Sequence, residues 1–151
     1  MTINTIPTIT PYLNIKGAEA AIAFYEKAFG ANENIRIMMG GNVGHAEIQI
    51  GEAKMMLAEE IPAWGNKSPM TLGGSSVTIA LQVHDVDATF KRALGAGATT
   101  LMVVKDMFYG DRAGVLVDPF GHHWHISTHI EDVSLEEMQK RSDAMFVEHQ
   151  K

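Results

Sequence analysis

The chain is written twice. Thr8–Ile15 (TITPYLNI) alternates as a strand does and leads into Ala18–Phe29. There Ala18, Ile22, Tyr25 and Phe29 recur at helical spacing, and Gly30 follows as a C-terminal cap. The same plan then returns. Val77–Val83 (VTIALQV) alternates, and Val86, Phe90, Ala93 and Leu94 mark a shorter helix, with Asp85 or Asp87 as N-cap and an end near Gly95 and Gly97. A displacement of 68 positions lays Ile15 on Val83, Ala18 on Val86, Ile22 on Phe90 and Tyr25 on Ala93. Such duplication restricts the fold to a pair of similar modules.

The rest of each half reads as strands. His45–Ile50 and Lys54–Glu59 flank a Gly51-Glu52 turn. Arg112–Val117 and His122–Thr128 flank Asp118-Pro119-Phe120-Gly121, whose Asp, Pro and Gly fall where a type I turn wants them. Weaker strands are expected at Asn34–Met39 and Thr99–Val104. Each half is therefore β-α-β-β-β, and the fold class is α+β. The modules are placed at about residues 6–60 and 76–130, within one domain spanning 1–130. Residues 61–75, rich in Pro, Gly and Ser, are read as linker, and 131–151 as a helical extension opened by a capping box at Ser134 and Glu137.

Alternation also sorts the strand faces. Ile9, Leu13 and Ile15 oppose Thr10, Tyr12 and Asn14, and Ala46, Ile48 and Ile50 oppose His45, Glu47 and Gln49. Ile79, Leu81 and Val83 oppose Thr78, Ala80 and Gln82, and Trp124 and Ile126 oppose His123, His125 and Ser127. Each sheet thus has an apolar face for its helix and a polar face. The polar faces carry His, Tyr, Gln and Thr more than Lys, Glu and Arg. A solvated face favours the charged residues, and a surface around a small ligand favours these donors and acceptors.

Composition narrows the function. The 151 residues are 46% hydrophobic and 20% charged, a globular composition. The net charge is −6 and the basic residues are scattered, which argues against nucleic acid as a partner. There is no cysteine, so disulfides, thiolate metal sites, Fe–S clusters and cysteine nucleophiles are excluded. MTINTIPTIT lacks the pattern of a secretory signal, and no apolar run reaches the roughly 18 residues of a membrane span. The expected setting is the cytoplasm.

In this order, ITPYLNI with AIAFYEKAFGA, HAEIQIGEAKMMLAEE, VTIALQVHDVDATFKRALGAGA and FYGDRAGVLVDPFGHHWHISTHIEDVS resemble the vicinal oxygen chelate superfamily. That superfamily includes glyoxalase I, bleomycin-resistance proteins, fosfomycin-resistance enzymes and extradiol dioxygenases. The last stretch looks like its PhnB-like branch. The resemblance implies curved mixed sheets around a cleft, the glyoxalase/bleomycin-resistance fold, and a homodimer. It also implies four metal ligands, carried over to Thr10, Thr78, His125 and a position between Leu57 and Glu59. Threonine is a poor ligand for such ions, so the standard tetrad is not expected. No cofactor is expected either. A divalent ion on a relocated site, from His45, Glu47, His123 and His125, is the rival.

Other chemistry has less support. No Gly-rich phosphate loop and no G-x-S-x-G element occurs. Arg112, after Tyr109-Gly110-Asp111, can clamp an acidic ligand, or can form a structural pair with Asp111 or Asp118. Trp64 can close over a ligand or pack on a dimer partner. The ten methionines read as core and interface filler. The leading expectation is a small-molecule-binding protein without the standard metal. Its ligand would be lined by Thr10, Tyr12, His45, Glu47, Gln82, Tyr109, Arg112 and His123, with His125 as proton donor or acceptor. The alternatives are a metal-dependent lyase or isomerase of the glyoxalase type, and a structural dimeric module.

Overall fold

The computed structural model describes residues 6–151. The beginning of MTINTIPTIT, read above as carrying no secretory signal, lies outside them. The chain divides between Gly74 and Ser75 into two compact units.

The first unit runs β1 (Tyr12–Ile15), α1 (Ala18–Phe29), β2 (Asn32–Met39), β3 (Asn42–Ile50) and β4 (Ala53–Glu59), followed by a 3₁₀ turn at Pro62–Trp64 and a short helix, α2 (Pro69–Leu72). Its four strands lie in the order β1-β4-β3-β2, with β1 parallel to β4 and the other pairs antiparallel. Leu13, Ile15, Ala46, Ile48 and Leu57 are buried, as are Ile22, Tyr25 and Phe29 of α1. The 3.6-residue period of the helix meets the two-residue period of the strands on that one face. Tyr25 and Phe29 stack with ring centroids 6.1 Å apart.

The second unit runs β5 (Thr78–Gln82), α3 (Val86–Gly95), β6 (Thr99–Asp106), β7 (Asp111–Val117), β8 (His123–His129) and α4 (Leu135–His149). Its order, β5-β8-β7-β6 with β5 parallel to β8, repeats the first topology. Trp124, Ile126 and Leu116 are fully buried, and Val86, Phe90 and Ala93 of α3 are buried too. Asp85 caps α3, accepting from the Ala88 N–H at 3.0 Å. Ser134 caps α4, accepting from Glu137 N–H at 3.2 Å, while the Glu137 carboxylate is taken by Arg141.

One expectation needs correction. The first strand begins at Tyr12, so Thr8–Pro11 precede it, and Ile9 is 98% exposed rather than sharing the face of Leu13. Pro7 and Pro11 bracket that segment, and neither has the N–H a ladder needs. The linker is not featureless. Glu60 accepts from the Ser68 N–H at 2.7 Å and the Thr71 hydroxyl at 2.7 Å, and Ser68 is fully buried. These bonds hold the Glu60 carboxyl below its usual range, that from Ser68 most of all. Leu94 is on the exposed side of α3, and Ser127, though on the polar face, is buried. Among the described residues no helix is long and apolar enough to cross a membrane.

Candidate functional site

Strand alternation builds the polar face of the first unit. Tyr12 and Glu47 both lie opposite Met56, so β1, β4 and β3 present them in one row away from α1. The Tyr12 hydroxyl lies 2.8 Å from His45 Nδ1, with the rings tilted at 5.5 Å. His45 Nε2 faces Glu47 Oε1 at 3.7 Å, and Glu47 Oε2 faces Lys54 Nζ at 3.4 Å. With Tyr12 as donor, the ring proton sits on Nε2, the nitrogen turned to the carboxylate. Thr10 stands before β1, half-buried.

In the second unit β8 turns Trp124 and Ile126 into the core and His123 and His125 to the opposite face. Gln82 lies opposite Ser127 and shares that face. The Tyr109 hydroxyl reaches His125 Nε2 at 3.2 Å. Burial pushes this hydroxyl above the ordinary phenol range, and the charge of Asp111 adds to the effect. The phenol therefore stays protonated and available as a donor.

Asp118 decides how β8 starts. Its buried carboxylate accepts from the Phe120 N–H at 2.9 Å, the His122 N–H at 3.0 Å and Trp124 Nε1 at 2.9 Å. The expected turn forms, with Gly121 N–H bonded to the Asp118 carbonyl at 3.1 Å. The turn residues were legible in the sequence, but the side-chain role of Asp118 was not. The Trp six positions on was its only signal.

Arg112 is not on this face. In the ladder Arg112 lies opposite Thr128 and Val115 opposite His125, so Arg112 and His125 differ in parity and point to opposite sides. Arg112 Nε and Nη2 hold both oxygens of Asp87 on α3, at 2.8 and 3.0 Å, and Nη1 holds Asp106 at 2.9 Å. These bonds, the one to Asp87 first, raise the Arg112 pKa, and the same contact lowers that of Asp87. Neither Asp111 nor Asp118 is the partner. Asp111 bonds His129 at 2.9 Å, and Asp118 serves its turn. Strand β7 could not be oriented from sequence because Ala113 and Gly114 give no contrast between faces. Trp64 is exposed on its 3₁₀ turn.

The donor set does not fit the four-ligand metal site of the superfamily. Leu57 is fully buried on the α1 side. The Glu59 carboxylate accepts from the Gly17 N–H at 3.0 and 3.1 Å and the Ala18 N–H at 2.8 Å, so it caps α1. With threonine at two further positions and the Glu59 carboxylate taken by the start of α1, His125 is left as the one strong donor among the four. For the relocated set, His45 and Glu47 belong to one unit, His123 and His125 to the other. Among the described residues no group of three or more His, Cys, Asp or Glu is gathered to hold an ion.

Comparison with known proteins agrees with the topology. Residues 5–126 match the family model of the Glyoxalase/Bleomycin resistance protein/Dioxygenase superfamily. The uncharacterized protein Mb0911c of Mycobacterium bovis is 45% identical over 143 residues, covering 92% of this chain and 94% of its own. The solved Arabidopsis thaliana gene product AT5G48480 superimposes with a TM-score of 0.67 at 25% identity, over 82% of this chain and 99% of its own. A PhnB protein from Bacillus cereus superimposes with a TM-score of 0.63 at 18% identity, over 81% and 99%. The duplicated β-α-β-β-β topology and the family match lead to one conclusion: the chain belongs to the glyoxalase/bleomycin resistance protein/dioxygenase superfamily.

Proposed function

We propose that this protein binds a small organic molecule through the helix-free faces of its sheets, with His125 as the group that gives or takes a proton. The observation that carries this reading is the Tyr109–His125 contact. It pairs a part-buried phenol, kept protonated by its surroundings, with the side-chain type that exchanges protons near neutral pH. Gln82 and His123 accompany His125 on the face of the second unit, and Thr10, Tyr12, His45 and Glu47 supply a separate set of donors and acceptors in the first unit. Arg112 is left out, because its guanidinium is engaged on the other face. The metal-dependent lyase or isomerase alternative has less support, because among the described residues no group of three or more His, Cys, Asp or Glu is gathered to hold an ion.

Three finer points belong to the same reading. The stretch from Phe108 to Ser134 and the Bacillus cereus neighbour support the PhnB-like branch. Exposed Ile35 and Ile37 on β2, and Leu101 and Val103 on β6, support a homodimer. The lack of cysteine is compatible with a reducing cytoplasm.

Native mass spectrometry of the purified protein tests this directly. A dimer is expected, carrying a small organic molecule that His125→Ala and Tyr109→Phe lose and His122→Gln keeps. A stoichiometric transition-metal ion that departs on His125→Ala would overturn the metal-free reading. Retention unchanged in both His125→Ala and Tyr109→Phe would overturn the assignment of the face.

A further inference from the structure

We propose that the segment from Ile130 through α4 is a strap that holds Tyr109 against His125, and that Arg141 is the positioning residue through which α4 acts. The inference rests on the reading that the His125 face is the functional one.

Tyr109 stands in a tight turn between β6 and β7. The turn's own bonds are few: Gly110 N–H to the Met107 carbonyl at 3.1 Å, and Met107 N–H to the Asp111 carbonyl at 2.7 Å. Both residues that flank Tyr109 are instead held by the chain that follows β8.

Gly110 is held through its backbone. Its carbonyl accepts from the Ile130 N–H at 2.9 Å and the Glu131 N–H at 3.0 Å. Its φ is +100°, and a Cβ there would run into the Glu131 carbonyl and press on Val133 Cγ2. Only glycine lets the strap lie this close.

Phe108 is held by Arg141. Nη1 donates to the Phe108 carbonyl at 3.1 Å and to Glu131 Oε2 at 3.1 Å, Nη2 to Glu131 Oε1 at 2.9 Å, and Nε to Glu137 Oε1 at 3.1 Å. One planar guanidinium thus joins the Tyr109 turn, the strap and α4. The fork geometry is what allows it, and a lysine ammonium cannot reproduce it. No residue of α4 is fully buried, and the polar contacts of Arg141 tie it to the Tyr109 turn. His129 adds a second pin, between Asp111 at 2.9 Å and Asp132 at 2.7 Å.

With Phe108 and Gly110 both fixed, the phenol has little freedom to swing away, and its hydroxyl sets which nitrogen of His125 bears the proton. Releasing the strap frees Tyr109 and returns His125 to the tautomer mixture of a solvated imidazole.

The test is side-chain NMR on the full chain at one fixed pH, following the ring nitrogens of His125 and the Cζ carbon of Tyr109. Tyr109→Phe defines the His125 signature of the missing bond. Arg141→Ala and Arg141→Lys are both expected to reproduce that signature, and to move Tyr109 Cζ toward the solvent-exposed value. Should Arg141→Ala not fold, Arg141→Lys carries the same comparison, because it keeps the charge and loses only the fork. Wild-type His125 and Tyr109 signals in Arg141→Lys, with amide exchange showing α4 released, would overturn the proposal. The readout involves no ligand. Retention of the small molecule in both His125→Ala and Tyr109→Phe defeats the functional reading, while the Arg141 comparison still decides the strap.

Discussion

Glu59 and Thr128 occupy the same place in the two halves of the chain: Glu59 is the last residue of β4, Thr128 the last but one of β8, and each caps the helix of its own unit. Glu59 accepts from the Ala18 N–H at 2.8 Å, and Thr128 accepts from the Val86 N–H at 2.8 Å. Ala18 and Val86 are the residues that the sequence repeat superimposes. The carboxylate adds an interaction with the helix dipole that the hydroxyl lacks, while the hydroxyl also donates to the Val83 carbonyl at 3.0 Å. Glu59→Ala and Thr128→Val should each cost about 1 kcal/mol, the scale of a lost cap. Urea unfolding gives the loss, and amide exchange should locate it in α1 for the first variant and in α3 for the second. Loss of protection in the wrong helix would refute the equivalence.

Gly110→Ala should be the most damaging of the turn-glycine substitutions. Gly51 also has a positive φ, +57°, but nothing lies within reach of a Cβ there, so Gly51→Ala costs only the roughly 1–2 kcal/mol of left-handed backbone. At Gly110 the collision with Glu131 adds to that strain. Thermal unfolding should rank Gly110→Ala well below Gly51→Ala, and equal midpoints would contradict the close packing of the strap.

Stability should carry a pH signature from His129. Its ring N–H groups donate to the carboxylates of Asp132 and Asp111, and these hydrogen bonds, the one to Asp132 first, raise its pKa in the folded protein above the ordinary 6.5. A raised folded-state value means the contribution is complete below pH about 6.5 and fades as pH rises through the folded value. The urea midpoint difference between wild type and His129→Gln should therefore be larger at pH 5.5 than at pH 9, about one unit below and over two above that value. A difference independent of pH would show that the ring is held in its neutral form.

Arg112→Lys should leave the retained small molecule in native mass spectra unchanged while lowering the thermal midpoint of the protein. The fork that grips both oxygens of Asp87 is lost with the guanidinium, and that grip lies on the α3 side of the sheet. Loss of the small molecule with an unaltered midpoint would place Arg112 back on the ligand face.

Much of the architecture was legible from local pattern alone. The bounds of α1, Ser134 as a cap, the Asp118 turn and the inward direction of Trp124 and Ile126 all follow from periodicity or turn chemistry, which also narrowed the cap of α3 to Asp85 or Asp87, of which Asp85 caps. Such features depend on residues a few positions apart, and the chain reports those distances directly. The facing of His45, Glu47, His123 and His125 was equally readable, because a two-residue period needs only one apolar neighbour to orient it. What only the tertiary structure decided are the partners. Arg112 takes Asp87 and Asp106, Glu59 caps α1 across 41 positions, Tyr109 finds His125, and Arg141 reaches Phe108 across 33. A long side chain chooses among every opposite charge or acceptor within its reach. That set is assembled by the sheet register and by the path of the chain after β8, neither of which is written in the residues next to it.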